Sequence, residues 1–206
     1  MKRLSLVLGL AVLVSLLGFA AFAFAQDASP AVAGPITEAI RARGQLICGV
    51  NANLPGFGAP NDAGDYVGFD VDICRAVAAA ILGDSEAVTY RPLSAAERQP
   101  ALASGEVDMI SRNTTWTLSR DTTWGATFGP TTFYDGQGVM VRVADGIRSL
   151  EDLEGATICT NAGTTTELNI TDAMASRGLS FDLQTFQDAA GFMGAFASQM
   201  WFLAFA

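Results

Sequence analysis

Hydrophobic and polar positions follow alternating strand and helix patterns over most of the chain. Short apolar runs that end in polar turns predict strands, and apolar positions spaced three or four apart predict helices. The predicted strands cover residues 45–51, 88–93, 105–111, 136–143 and 156–162, and the predicted helices cover 68–83 and 164–178, with a helical turn at 149–153. Such alternation is typical of an α/β fold with mostly parallel strands.

Capping residues mark where these helices begin and end. Asp70 is placed to cap the amino end of the first predicted helix, and Gly83 lies where its carboxyl-terminal cap belongs. Further along, Ser94 and Glu97 form a capping box. Pro100 limits the helix that follows to short pieces, because proline breaks a regular helix interior.

Residues 1–25 have the pattern of a secretory signal peptide. Lys2 and Arg3 precede an apolar run that ends in the small-x-small sequence Ala-Phe-Ala. We therefore expect the mature protein to begin near Gln26, outside the cytoplasm. The alternative is a single-pass anchor, since the run approaches the ~20 residues that span a bilayer.

Charge and composition narrow the range of functions. Loss of residues 1–25 removes two cations and no acid, so the formal charge of −9 becomes −11. That charge argues against nucleic acid or an anionic membrane as a partner. The chain has no histidine, and so no Ser-His-Asp triad, no Cys-His pair and no usual zinc site. We expect no catalytic residues, no metal and no cofactor.

Two loops at the carboxyl ends of predicted strands carry residues suited to an anionic ligand, and sheets of this type bind ligands at that edge. The turn 161–169 opens a helix with Thr164 as its cap, and the free N–H groups there can receive a carboxylate or phosphate. The stretch 109–121 is rich in Ser, Thr and Asn and places Arg120 in a short helix capped by Thr117. The alternatives are an ordinary helix start and a surface arginine on a polar loop.

Several motifs resemble, in the same order, those of a known family. They are CGVNANLPGF (48–57), GFDVDICRAVAAAI (68–81), SGEVDMISRNTTWTLSRD (104–121), FYDGQGVMV (133–141) and GTTTELN (163–169). The resemblance runs from about residue 36 to 188 and is to the polar amino-acid-binding proteins of bacterial ABC importers, extracellular solute-binding protein family 3, in the branch that binds L-amino acids of broad type. It implies a type II periplasmic-binding-protein-like fold, in which two α/β lobes trap an amino acid between them.

The resemblance also implies a set of ligand-binding residues. Arg120 is similar to the arginine that binds the α-carboxylate, and Thr165 resembles the second-lobe donor to the same group. Phe57 lies near the position of the aromatic wall around the ligand side chain. The full set is Asn113, Thr115 and Arg120 on the first lobe, Thr164 and Thr165 on the second, and Phe57.

The signal-peptide pattern and the resemblance together divide the chain into a signal peptide at 1–25, a flexible segment at 26–35, a first lobe at 36–135 and a partial second lobe at 136–206. Where the family continues with Gly-Arg-Cys-Asp and later Thr-Thr-Asp, this chain reads QMWFLAFA from residue 199. We expect an incomplete fold without the ammonium-binding aspartate or the return segment of the first lobe. The uncharged stretch 189–206 would then favour association, with a second membrane anchor as the alternative.

The cysteines are interpreted through the same resemblance. Cys48 on the first strand and Cys74 on the first helix could pair within the first lobe. Cys159 would have a partner in the Gly-Arg-Cys segment of the relatives, and we expect it to be left over here.

Three functions stay open at this point. The first is an extracytoplasmic receptor that delivers L-amino acids to the membrane permease of an ABC transporter. The second is an enzyme on the same fold, such as a periplasmic cyclohexadienyl dehydratase, whose candidate acids are Asp70, Asp72 and Glu97. The third is a non-functional fragment of the receptor.

Overall fold

The structure is a computed structural model that describes residues 33–197. The predicted signal peptide, most of the predicted flexible segment and the tail from residue 199 lie outside those residues. The helices and strands are, in chain order, α1 Pro35–Arg43, β1 Leu46–Val50, β2 Ala59–Pro60, β3 Tyr66–Val67, α2 Phe69–Leu82, β4 Val88–Pro92, α3 Arg98–Ala103, β5 Met109–Ile110, α4 Leu118–Thr123, β6 Thr157–Asn161, α5 Thr165–Ala175, β7 Asp182–Phe186 and α6 Ala189–Ala197.

The first lobe is built on a three-stranded parallel sheet with β1 at its centre. Cys48 of β1 lies opposite Tyr90 of β4 on one side and opposite Met109 of β5 on the other. The strand is buried or half-buried along its whole length, as expected for a parallel strand covered on both faces. The predicted parallel α/β arrangement is confirmed for this sheet.

Helix α2 covers one face of the sheet. Its buried Val71 and Cys74 pack against Cys48 and Val50 of β1, and Ala78 continues the contact one turn further along. Full burial of an apolar side chain of this size contributes ~1.5–3 kcal/mol to folding. The helix is therefore held to the sheet mainly by this apolar stripe.

A disulfide joins Cys48 to Cys74, with their Cα atoms 6.2 Å apart. The predicted pairing is confirmed, and it links the central strand to the helix that covers it. Cys159 on β6 is a free thiol and is buried. Burial raises the pKa of the Cys159 thiol, and Asp182 raises it further.

The amino end of α2 differs from its prediction. Asp70 does not cap the helix, because Gly68 occupies the cap position with a φ of 124°. The N–H groups of Phe69 and Asp70 instead donate to the carbonyls of Gly56 and Phe57, each at 2.9 Å. These backbone acceptors leave Asp70 in the first turn as a buried carboxylate, only 5% exposed. At the other end Gly83 is left-handed, as predicted.

The capping box before α3 is present in part. The Glu97 carboxylate accepts a hydrogen bond from the Ser94 N–H at 2.7 Å, and this bond lowers the pKa of Glu97. The helix itself has six residues and includes Pro100. Its shortness agrees with the limit that proline sets on a regular helix.

The second lobe contains the parallel strand pair β6–β7 with helices α5 and α6. Its core joins Leu153, Ile158, Ile170 and Met174. Helix α6 lies against β6 and β7 and covers Cys159 with Ala195. No helix in residues 33–197 is both long and apolar enough to cross a membrane.

Five elements differ from the sequence pattern. The predicted strand 136–143 pairs with no strand in the described part of the chain, although Val139 and Val141 pack on the second-lobe core. A strand needs a neighbour to receive its hydrogen bonds, and alternation alone does not supply one. Helix α1 and strands β2, β3 and β7 were not predicted. The boundary between lobes at residues 135 and 136 stays a prediction.

Candidate functional site

Arg120 is held in the first turn of α4. Thr117 caps this helix, as predicted, by accepting a hydrogen bond from the Arg120 N–H at 3.2 Å. The side chain is 8% exposed and donates to the carbonyl of Thr115 at 2.9 Å and to that of Gly163 at 3.4 Å. Its guanidinium lies 5.1 Å from the ring centre of Trp124. Burial lowers the pKa of Arg120.

Thr115 and Thr165 meet between the lobes. Their hydroxyl oxygens are 2.9 Å apart and share a hydrogen bond. Thr165 is the first residue of α5, so the positive end of the helix dipole lies beside it. The structure therefore brings together three of the predicted ligand-binding residues, Arg120, Thr115 and Thr165, which we call the carboxylate clamp.

Thr164 serves as the amino-terminal cap of α5. Its hydroxyl accepts from the Glu167 N–H at 3.1 Å and donates to the Asn161 carbonyl at 2.7 Å. The Glu167 carboxylate accepts a hydrogen bond from the Gly163 N–H at 2.8 Å, so Glu167 and Thr164 each bond to the backbone of the turn. Because the hydroxyl is already used as donor and acceptor, Thr164 has its backbone N–H to offer a ligand.

Asn113 lies in a network of buried polar groups. Its side-chain oxygen accepts from the Asn51 amide at 3.0 Å and from the Arg112 guanidinium at 2.9 Å. Its backbone carbonyl accepts from Arg98 at 3.0 Å. Asn113 is thus fixed in place by three donors from three different segments.

Phe57 belongs to an aromatic group on the first lobe. Its ring centre lies 5.0 Å from that of Phe133 and 6.1 Å from that of Phe69, both in edge-to-face geometry. Such pairs are favourable because a positive ring edge meets a negative ring face. Phe57 lines the same cavity as Asn113 and Thr115.

A cavity of about 1430 Å³ runs along these residues. Four of the six predicted ligand-binding residues line it: Phe57, Asn113, Thr115 and Thr164. Arg120 and Thr165 do not line it and lie behind it, bonded to neighbours on both lobes. A ligand carboxylate would reach them by replacing these hydrogen bonds.

Arg98 and Arg112 were missed by the sequence reasoning. Arg98 is 1% exposed and donates to the Asn113 carbonyl, the Thr114 hydroxyl and, at 3.1 Å, the Gly163 carbonyl of the second lobe. Arg112 is 9% exposed and donates to the Leu93 carbonyl. Arg112 directly precedes Asn113 in the polar loop, which was too weak a signal to mark it, and Arg98 lies 15 positions before Asn113, where no local motif pointed to it.

Burial lowers the pKa values of the two arginines and raises that of Asp70, because it disfavours the charged form of each group. It lowers the pKa of Arg98 to about 9, with Arg112 and Arg120 adding to the effect. It lowers that of Arg112 to about 10, against the opposing influence of Asp70 and Glu97. Both guanidiniums remain charged at neutral pH. Burial raises the pKa of Asp70 to about 6, and Arg112 partly offsets this rise.

The arrangement is suited to holding an anion without covalent chemistry. Cationic and hydroxyl donors converge from both lobes, where charge-assisted hydrogen bonds are about twice as strong as neutral ones. Within residues 33–197 no cluster of carboxylates and thiols could hold a metal ion.

Two α/β lobes with donors facing each other between them are the architecture of a cleft-type solute-binding protein. Residues 46–191 match the model of the bacterial extracellular solute-binding proteins, family 3, and the chain belongs to that family. The resemblance found in the sequence and the two-lobed fold that it implied are therefore confirmed.

Two relatives that are named as amino-acid-binding proteins align with most of this chain. The general L-amino acid-binding periplasmic protein of Rhizobium johnstonii is 46% identical over 187 residues, which are 91% of this chain and 51% of that protein. The glutamate/glutamine/aspartate/asparagine-binding protein of Rhodobacter capsulatus is 46% identical over 180 residues, 87% of this chain and 53% of that one.

A solved structure shows the same fold. It is an ABC transporter periplasmic binding protein from Brucella ovis with glutathione bound, 47% identical, with a TM-score of 0.74 over 81% of this chain and 52% of that one. The chain thus spans about half the length of the relatives that it matches.

Proposed function

We propose that this chain is the extracytoplasmic solute-binding component of an ABC transporter and captures L-amino acids for import. The observation that carries the proposal is the position of Arg120 beside the Thr115–Thr165 contact, with donors from both lobes directed at one place. Membership of the solute-binding family supports the same class of function. The partners are then an L-amino acid and the permease subunits of the transporter, and the location is the periplasm, reached through a signal peptide.

The mechanism is capture by closure of the two lobes. The ligand α-carboxylate takes the place of the carbonyls of Thr115 and Gly163 as acceptor for Arg120. Thr165 and the free N–H groups at the start of α5 hold the same carboxylate from the second lobe. A neutral carbonyl is exchanged for a charged acceptor, and this difference contributes to binding. No bond of the ligand is made or broken.

The test is ligand binding by the full chain exported to the periplasm of a host and purified. Calorimetry should show binding of L-glutamate or L-glutamine, and of glutathione if its glutamyl end occupies the clamp as an amino acid would. Putrescine and histamine, which lack the α-carboxylate, should not compete. Competition by these amines as strong as that by the amino acids would contradict the carboxylate clamp.

A dehydratase is the second candidate, and one observation favours it. Of the three carboxylates considered from the sequence, Asp70 alone lines the cavity and has a pKa raised to about 6, a value suited to a general acid near neutral pH. Asp72 is paired with Arg75 on the exposed side of α2, and Glu97 is engaged with Ser94. Turnover of prephenate, abolished by Asp70→Asn, would establish the enzyme in place of the receptor.

A further inference from the structure

Arg98, Arg112 and Arg120 are buried arginines at the carboxylate clamp, and they share hydrogen-bond and ring partners. Arg98 and Arg120 both donate to the Gly163 carbonyl, at 3.1 and 3.4 Å, and both lie over the Trp124 ring, at 5.8 and 5.1 Å. Arg98 and Arg112 donate to opposite ends of Asn113, its backbone carbonyl and its side-chain oxygen. The three guanidiniums therefore form one connected cluster, which we call the arginine cluster.

The acceptors of the arginine cluster are neutral. Carbonyls, a hydroxyl and an amide oxygen receive its hydrogen bonds, and within residues 33–197 none of the three arginines forms a salt bridge. The Nε of Arg112 is buried and has no hydrogen-bond partner in that part of the chain. Three positive charges are thus withdrawn from water without a carboxylate partner among residues 33–197.

Four carboxylates line the cavity, and they offset little of this charge. Asp108 is paired with Arg43, and Asp135 and Asp188 are exposed to solvent, which screens them. Asp70 alone is buried, and its Oδ2 has no hydrogen-bond partner in the described residues. Glu97 also acts on Arg112, but it is exposed and does not line the cavity. One buried negative charge therefore faces three positive ones, in a protein whose formal net charge is −9.

A neutral amino acid would leave this surplus in place. Its single carboxylate serves Arg120, while its ammonium group adds a positive charge near the cluster. A ligand with a second carboxylate brings a net negative charge into a site where burial makes electrostatic interactions stronger than in water. Resting on the proposed function, we propose that the cleft selects ligands with two carboxylates and one ammonium group, and that the arginine cluster sets this preference.

The three arginines have different tasks in this proposal. Arg112 lines the cavity and faces the second carboxylate. Arg98 does not line the cavity and acts as a positioning residue, since it fixes Asn113 and Gly163 and adds its charge from behind. Arg120 keeps its role in binding the α-carboxylate.

The experiment compares ligands of equal shape and different charge on the full exported chain. L-Glutamate is measured against L-glutamine, and L-aspartate against L-asparagine, by calorimetry at low ionic strength. Each acid should bind at least about tenfold more tightly than its amide, corresponding to ~1.4 kcal/mol. The ratio within a pair does not depend on how tightly either ligand binds in absolute terms.

Variants identify the source of the preference. Arg112→Met should bring the acid-to-amide ratio towards one, and Asp70→Asn should increase it, because one removes a positive and the other a negative charge. Arg177→Met removes an exposed arginine of the second lobe that pairs with Glu151 and should leave the ratio unchanged. If Arg112→Met fails to fold, the acid-to-amide ratio of Asp70→Asn still tests whether charge in the cavity sets the preference.

The possible failures are distinguishable. Equal affinity of the acids and amides in the parent chain would overturn the charge preference and leave the proposed function intact. An unchanged ratio in Asp70→Asn would remove the arginine cluster as its cause. Binding of neither the acids nor the amides would overturn the proposed function itself.

Discussion

The hydroxyls of Thr115 and Thr165 lie 2.9 Å apart, although 50 positions separate the two residues in the chain. Thr115 follows β5 in the first lobe, and Thr165 begins α5 in the second. A carboxylate placed between them would replace one neutral hydrogen bond by two bonds to a charged acceptor. These two hydroxyls, which help to join the lobes, are therefore also atoms that a ligand would use.

Replacement of Gly163 should displace the contact between the lobes by a few tenths of an ångström. Its φ of +74° is strained for any other residue, and a Cβ there would come within 3.2 Å of the Ala96 Cα in the first lobe. Gly178→Ala is the matched control, since its φ is +69° and no other group lies within 4 Å. Both alanines should cost roughly 1–2 kcal/mol in the free energy of unfolding, measured in urea. Only Gly163→Ala should also weaken amino-acid binding, and an equal effect on binding in both variants would contradict the contact between lobes.

Removal of the Arg120 guanidinium should weaken ligand binding. Arg120→Ala is expected to cost ~1.5–3 kcal/mol of binding free energy, the contribution of a charge-assisted hydrogen bond. Arg120→Lys should recover little, because an ammonium cannot reproduce the planar fork. Calorimetry with L-glutamate measures both, with Arg177→Ala as a control on the exposed surface of the second lobe. Parent-like binding by either Arg120 variant would show that the clamp is placed wrongly.

The Cys48–Cys74 disulfide should stabilise the first lobe. It closes a loop with a sequence separation of 26, and bonds of this kind contribute ~2–4 kcal/mol to stability. The double variant Cys48→Ala/Cys74→Ala should therefore unfold at lower urea concentration, and dithiothreitol should shift the parent but not the variant. Thiol titration of the unfolded parent without reductant should find Cys159 alone. Three reactive thiols per chain would mean that the disulfide does not form.

Asp70 should make stability depend on pH. Its pKa is raised from 3.8 to about 6 by burial, so the folded chain holds the proton more tightly than the unfolded chain does. The contribution of this carboxyl to stability is therefore fully present below about pH 4 and is lost as the pH rises through 6, a change of less than ~3 kcal/mol once solvent screening is included. Asp70→Asn should be stabilised relative to the parent at pH 7, and that advantage should vanish at pH 4. If the difference in unfolding free energy between the two proteins were the same at pH 4 and pH 7, the raised pKa of Asp70 would be wrong.

The fold was predictable where local pattern and tertiary contact agree. The apolar run of β1 and the stripe of α2 match their burial, and Thr117 and Thr164 cap their helices as predicted. The strand expected at 136–143 failed because ladder pairing depends on a distant partner that alternation does not encode. Asp70 is not the cap because the carbonyls of residues 56 and 57, which lie outside the helix sequence, accept the first N–H groups of α2.

The candidate site was predictable only in part, and for a similar reason. Arg120 and the threonines lie in or beside polar stretches whose composition is unusual, and so they were visible in the sequence. Arg98 lies in a short helix among small residues, and its importance comes from contacts with positions 15, 16 and 65 residues away. Burial of a charge at such a point follows from tertiary packing, which no local motif reports.

Arg98 and Arg120 of the first lobe both donate to one main-chain atom of the second lobe, the carbonyl oxygen of Gly163. Every amino acid carries such an oxygen, so no change of residue type at position 163 can delete the acceptor itself. Inherited variation can abolish the contact only by altering the arginines or by displacing the backbone. The contact at this oxygen therefore depends on two arginine codons of the first lobe and on a glycine codon at position 163, whose φ of +74° other residues rarely adopt.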